Sequence, residues 1–150
     1  MRIAIGSDHG GYELKGHIKP LLVRLGHKVV DVGTDSMEPV DYPDYGIKVA
    51  KMVSKGEVDM GILICGTGAG MCCVANKVKG VRAAVCTDIR LAIQAREHLD
   101  ANILVLGGRI TGKVVAEEIL EGWLKAAFEG GRHEKRLKKI KEWEETHILD

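Results

Sequence analysis

The apolar run Gly61-Ile62-Leu63-Ile64 ends in Cys65 and opens at once into Gly66-Thr67-Gly68-Ala69-Gly70-Met71. A short continuous run without polar alternation marks a strand buried on both faces, the kind found in parallel sheets. Parallel strands need long crossovers, usually helical, so this segment alone restricts the chain to an α/β architecture. The alternating glycines let successive backbone N–H groups point into one concavity, a ready place for an anion or a developing oxyanion. Met71 to Val78 can be helical, and its free N-terminal amides would point the same way. Cys65 therefore stands beside an electropositive pocket, a setting that favours a thiolate. The competing reading is an inert core cysteine with glycines that serve strand–helix packing. Such a cysteine has no need of an amide-lined cavity beside it.

The rest of the chain keeps to that architecture. Arg2 to Gly6 reads as the first strand, closed by Ser7-Asp8-His9-Gly10-Gly11. Tyr12 to Leu25 reads as a helix with Leu14, Ile18, Leu21, Leu22 and Leu25 on one face. Lys28 to Val32 is a second strand, and a polar loop with Asp41-Tyr42-Pro43 leads to a helix from Tyr45 to Ser54. The glycine-loop strand is third, Ala83 to Cys86 fourth and Asn102 to Leu106 fifth. The last two precede helices over Asp88 to Glu97 and Gly112 to Phe128. This alternation predicts a five-stranded parallel sheet covered on both faces, with right-handed crossovers. Gly130-Gly131 then interrupts the chain before a charged helix, His133 to Thr146, whose apolar positions Leu137, Ile140 and Trp143 are too few for a large buried face. That helix is expected to lie across a partner subunit, with a solvated helix as the alternative.

At 150 residues, 45% hydrophobic and 29% charged, the chain has the makeup of a single globular domain over residues 1–150. Its formal net charge of +1 supplies no global field for nucleic acid or an acidic membrane. No stretch approaches the ~18 apolar residues of a membrane span, and no signal-peptide pattern opens the chain, so a cytoplasmic location is expected. A disulfide framework is then not expected of Cys65, Cys72, Cys73 and Cys86, and no C-x-x-C or H-E-x-x-H spacing marks a metal site. Cys72, Cys73 and Cys86 read as packing residues.

In open α/β sheets, ligands collect beyond the carboxyl ends of the strands, near the reversal of strand order. Asp8 and His9 follow the first strand, Cys65 to Gly70 the third, and Arg109 the fifth. His98 ends a crossover helix and so belongs to the opposite rim of its own sheet. It is either structural or part of another subunit's cleft. Arg132 and Arg136 sit one helical turn apart, so both can reach one phosphate dianion, the alternative being a solvated basic face.

Taken together these residues resemble the ribose/galactose phosphate isomerase family, and within it the type B ribose-5-phosphate isomerases. The matching segments are Gly6-Ser7-Asp8-His9-Gly10, Asp41-Tyr42-Pro43, Cys65 to Gly70, Ala75-Asn76-Lys77, and Glu129-Gly130-Gly131-Arg132-His133 with Arg136. The resemblance implies a metal-free aldose–ketose isomerase without cofactor, working through an enediolate on a Rossmann-like three-layer αβα sandwich. It also implies sites at a homodimer interface formed in part by the C-terminal helix, with dimer against tetramer left open. By position, Cys65 resembles the base that moves a proton between C1 and C2, and His98 the residue that assists ring opening. Asp8 and Tyr42 resemble substrate neighbours, Thr67 a hydroxyl near the reacting carbons, and the backbone of Gly66, Gly68, Ala69 and Gly70 the anion hole. His9, Arg109, Arg132 and Arg136 resemble phosphate contacts. The residues suit the chemistry, because carbonyl migration needs a base to return a proton one carbon away and fixed donors for the enediolate oxygens. The resemblance implies ribose 5-phosphate as substrate; Leu99, standing where the family commonly has asparagine, weakens that assignment and leaves a 6-phosphohexose (allose or galactose 6-phosphate) as the alternative.

Two other readings compete. Gly66 to Met71 half satisfies the dinucleotide fingerprint G-x-G-x-x-G, but Met71 takes the third glycine position and the loop follows the third strand, not the first. The other is a phosphosugar-binding module without catalysis, in which Cys65 is merely buried.

Overall fold

The computed structural model describes residues 1–147, and residues 148–150 of the expected domain lie outside the described residues. Strands β1 (Arg2–Ser7), β2 (Lys28–Asp31), β3 (Met60–Cys65), β4 (Ala83–Val85) and β5 (Ile103–Gly107) form a parallel sheet in the order β2-β1-β3-β5-β4. Helices α1 (Tyr12–Arg24), α2 (Tyr42–Ser54), α3 (Ala69–Ala75), α4 (Ile89–Leu99) and α5 (Lys113–Lys125) are the crossovers and flanks, and α6 (Arg132–His147) follows. Among the described residues no helix is long and apolar enough to cross a membrane.

Strand alternation builds two cores. Ile3, Ile5, Ile62, Ile64, Leu104 and Leu106 face α1, α4 and α5, where Leu22, Ala92, Ile119 and Trp123 meet them. Ala4, Leu63, Cys65, Ile103 and Val105 face the other way, toward Val49, Ala50 and Val53 of α2 and Met71 and Ala75 of α3. The result is the three-layer αβα fold expected from the alternation of elements.

Several boundaries differ from expectation. Helix α2 begins at Tyr42, three residues earlier than expected, because Pro43 occupies its first turn, where a missing N–H is lost at no cost. Helix α3 begins at Ala69 and ends at Ala75, where Met71 to Val78 was expected. Gly68 at φ 89 turns the chain directly from the loop into the helix. Helix α5 ends at Lys125, short of Phe128, where Ala126 takes an extended backbone.

The winding reverses between β1 and β3, whose ends are paired through Ser7 and Ile64. The loops after these strands therefore share a crevice. Lys15, 2% exposed, braces one side of it. Its ammonium donates to Asp31 Oδ1 at 2.8 Å and to the Thr34 carbonyl, tying α1 to the loop after β2. Burial would raise the Asp31 carboxyl, but donors from Lys15, Lys19 and Gly33 outweigh it and hold that pKa below the usual value.

Candidate active site

Three loops meet above the carboxyl ends of β1, β3 and β5, and glycines let them meet. A Cβ on Gly10 would lie 3.0 Å from the Gly66 nitrogen, and one on Gly107 would lie 2.6 Å from the Thr67 carbonyl oxygen. The Gly108 N–H donates to the Cys65 carbonyl at 2.7 Å, and the Arg109 N–H to the Gly66 carbonyl at 2.9 Å. These bonds stitch the β5 loop beneath the β3 loop.

Cys65 is buried, 5% exposed, and its Sγ accepts a hydrogen bond from the Gly68 N–H at 3.2 Å. Thr67 is exposed beside it, with Oγ1 accepting from the Ala69 N–H at 3.3 Å. The amides of Thr67 and Gly70 have no hydrogen-bond partner among the described residues, so they remain open to an incoming oxygen. Asp8 is buried, and its Oδ1 accepts from the Gly11 N–H at 3.1 Å, which fixes the carboxylate at the crevice wall. His9 Nδ1 accepts from the Val40 N–H at 3.1 Å, so in the neutral ring the proton sits on Nε2. The Tyr42 ring covers Gly70, where an added Cβ would fall 2.7 Å from it. Arg109 is exposed, and its guanidinium lies 3.5 Å from the position a Gly66 Cβ would take.

Of the expected site residues, Asp8, His9, Tyr42, Cys65, Gly66, Thr67, Gly68, Ala69, Gly70 and Arg109 are thus gathered at one rim. His98, Arg132 and Arg136 are not among them. His98 lies near the end of α4, just before β5 enters the sheet at Ile103, whereas Cys65 pairs with Gly107 at the exit of β5. Four strand residues at about 3.3 Å each separate the two rims by roughly 13 Å. At the second rim the His98 and His133 rings stack with centroids 4.2 Å apart and planes at 14°, and Glu129 Oε1 lies 3.8 Å from His98 Nε2. Arg132 and Arg136 are exposed on the first turns of α6 beside this pair.

Sequence reasoning missed His133 and Glu129 as companions of His98, because α6 had no assigned place against α4. The ligand atoms of His98, Glu129 and His133 fall within 4.8 Å of one another, the one set among the described residues with the chemistry of a metal site. The near-parallel rings direct their in-plane lone pairs side by side instead of toward one point, so the arrangement does not fit a tetrahedral ion.

The remaining thiols divide. Cys86 is buried, and its pKa is pushed up to about 12 by burial, then by Asp88 and Cys72, so it stays a packing thiol. Cys73 is exposed on α3 and is not the packing residue expected. Asn76 has a structural use: its amide donates to the Ala83 carbonyl at 2.9 Å and accepts from the Ala83 N–H at 2.9 Å, satisfying the free edge of β4.

A family model described as Ribose/Galactose Isomerase matches residues 3–140. Ribose-5-phosphate isomerase B of Escherichia coli is 48% identical over 93% of this chain and 93% of its own. The structure of Clostridium thermocellum ribose-5-phosphate isomerase B superposes with a TM-score of 0.96 at 55% identity, covering 98% of this chain and 99% of that one. The Mycoplasma genitalium enzyme of the same name, solved with bound ribulose 5-phosphate, superposes with a TM-score of 0.93 at 44% identity over 96% of each chain. Matched over nearly its whole length in sequence and in fold, the chain belongs to the ribose/galactose isomerase family.

Proposed function

We propose that this aldose–ketose isomerase interconverts ribose 5-phosphate and ribulose 5-phosphate without a metal, with Cys65 as the base that carries the proton between C1 and C2. The observation that carries the reading is the Gly68 N–H donating to Cys65 Sγ at the floor of an amide-lined loop. The bond ties the sulfur to the loop whose open amides would meet the substrate, and a thiolate is the form of cysteine that accepts a proton from carbon. The open amides of the loop supply donors for the enediolate oxygens without reorganisation. Thr67 and Asp8 flank the reacting carbons. His9, with its proton on Nε2, and Arg109 offer donors to substrate oxygens or phosphate.

One chain holds only part of this machinery. His98, Arg132 and Arg136 lie at the other rim, on elements that stand beside an exposed apolar stripe of Ile140 and Trp143. A symmetric dimer in which α4 and α6 of one protomer reach the cleft of the other completes the site, with His98 assisting ring opening and the arginines holding phosphate. The Mycoplasma genitalium relative's ribulose 5-phosphate favours the pentose. Leu99, 44% exposed beside His98, keeps a 6-phosphohexose as the second reading.

The test is to incubate the purified chain with ribose, allose and galactose phosphates, with and without a chelator, and to follow ketose formation. Turnover of ribose 5-phosphate that survives chelation is the expected result. Turnover abolished by chelation and restored by a divalent ion contradicts the metal-free mechanism, and a strong preference for a hexose contradicts the substrate.

A further inference from the structure

We propose that His133 is a positioning residue: its ring stacks on His98 and holds that imidazole at the orientation in which it serves ring opening in the partner's cleft. The inference rests on the reading of His98 given above. Near the end of α4, His98 is half-buried, and among the described residues no hydrogen bond holds its ring. The Glu129 carboxylate at 3.8 Å is too distant for one. A histidine so placed would turn freely about its last side-chain torsion, and an acid–base group that turns spends little time aimed at its substrate. The flat contact with His133, planes at 14° and centroids 4.2 Å apart, removes that freedom.

His133 can act as such a plate because it is itself fixed. It is 5% exposed, in the first turn of α6. Its N–H donates to the Gly130 carbonyl at 3.1 Å, and the Glu129 N–H donates to the Glu97 carbonyl at 3.0 Å, pinning the preceding turn to α4. Gly130 and Gly131, with φ of 70° and 56°, make that tight turn possible. Burial lowers the His133 pKa, as do His98, Arg132 and Arg136, while Glu129 opposes them, which favours an uncharged ring in the plate. The same turn carries Arg132 and Arg136, so the imidazole and the phosphate-binding arginines reach the partner as one rigid unit.

The two directions of the reaction separate positioning from mere anchoring of α6. Ribose 5-phosphate is chiefly a closed furanose that must be opened. Ribulose 5-phosphate carries phosphate on its C5 oxygen and has no furanose to open. The aldose made from it can leave in open form and close in water. For His133→Ala we expect kcat from saturating ribose 5-phosphate to fall about tenfold, while kcat from saturating ribulose 5-phosphate stays within about threefold. The KM values shift so that the two kcat/KM values keep the ratio the equilibrium constant sets. His133→Phe, which keeps a flat ring and the packing, should bring the forward rate back to within about threefold of the parent. His98→Asn should show the same asymmetry more strongly. Equal losses in both directions for His133→Ala, or no loss in either, overturn the positioning role. If His98→Asn itself slows both directions alike or neither, the ring-opening role of His98 fails first, and the two failures are distinguished by that variant.

Discussion

Cys65 is one thiol among four, and its surroundings alone separate it from the rest. Cys86 is held as a neutral thiol by burial, with a pKa of about 12, whereas Cys65 receives a backbone N–H at 3.2 Å from a glycine in the left-handed region. A side chain at Gly68 would strain the backbone at φ 89 and place its Cβ 2.8 Å from Val85 Cγ2, so the donor depends on glycine there. Replacing Cys65 by alanine should lower kcat by at least ~10²-fold, the scale of a lost general base, with the fold kept, since only one sulfur is removed. Steady-state rates and circular dichroism of Cys65→Ala check this, and near-parental turnover in the folded variant contradicts the assignment. The surroundings of this residue were legible in the sequence, because an apolar run ending in cysteine and alternating glycines reads as a buried strand entering a tight backbone turn. The stacking of His98 on His133 was not, since nothing in the local pattern of α4 or α6 names the other as neighbour. The exposure of Cys73 also escaped, because a seven-residue helix is too short for its periodicity to sort inside from outside.

The strands were read nearly to the residue because continuous apolar runs bounded by glycine admit little else. Helix starts fared worse, for a physical reason visible at α2. Pro43 marks a break when read locally, yet it suits the first helical turn, so the helix begins at Tyr42 and lays that ring over Gly70. Helix α6 carries both candidate phosphate contacts near its start. Arg136 is exposed and one turn beyond Arg132, as a phosphate clamp requires. Arg136→Ala should raise KM for the phosphorylated sugar about tenfold, with a smaller effect on kcat, as for binding made equally in ground and transition states. An unchanged KM would place Arg136 outside the site. The seat of α6 on α4 should also respond to pH. His133 has a folded pKa below its ordinary 6.5, chiefly through burial, as has His27 through burial and the N-terminal ammonium. Both bind protons more readily unfolded than folded, so their contribution to stability is present above about pH 6.5 and is lost as pH falls through the lowered values. The thermal midpoint should drop between about pH 7 and pH 5, and His133→Phe should reduce that drop. A midpoint that is flat over this range, or a drop of the same size in His133→Phe, contradicts the account.

For the molecule as a whole, the candidate residues fall on two opposite rims of the sheet, which the proposed function joins through a second copy. Cys65, the amide loop, Asp8, His9 and Arg109 stand beyond the carboxyl ends of the strands. His98, Arg132 and Arg136 stand roughly a strand's length away at the other end. That division was legible in the sequence as an oddity of position, since a residue closing a crossover helix lies opposite the strand ends. What the sequence did not display was how firmly α6 is tied to that end, by the Glu129–Glu97 backbone bond and by Glu144 accepting from the Gly80 N–H at 2.6 Å. The central claim is therefore that a working site takes Cys65 from one protomer and His98 from its partner. Mixing Cys65→Ala with His98→Asn, and showing subunit exchange independently with mass-tagged chains, should yield about half mixed dimers, each with one doubly damaged and one intact site. The mixture should recover about a quarter of the parental rate from ribose 5-phosphate, by symmetry counting. With exchange demonstrated, no recovery above the separate variants would mean that every site keeps one lesion, and the shared site would be wrong.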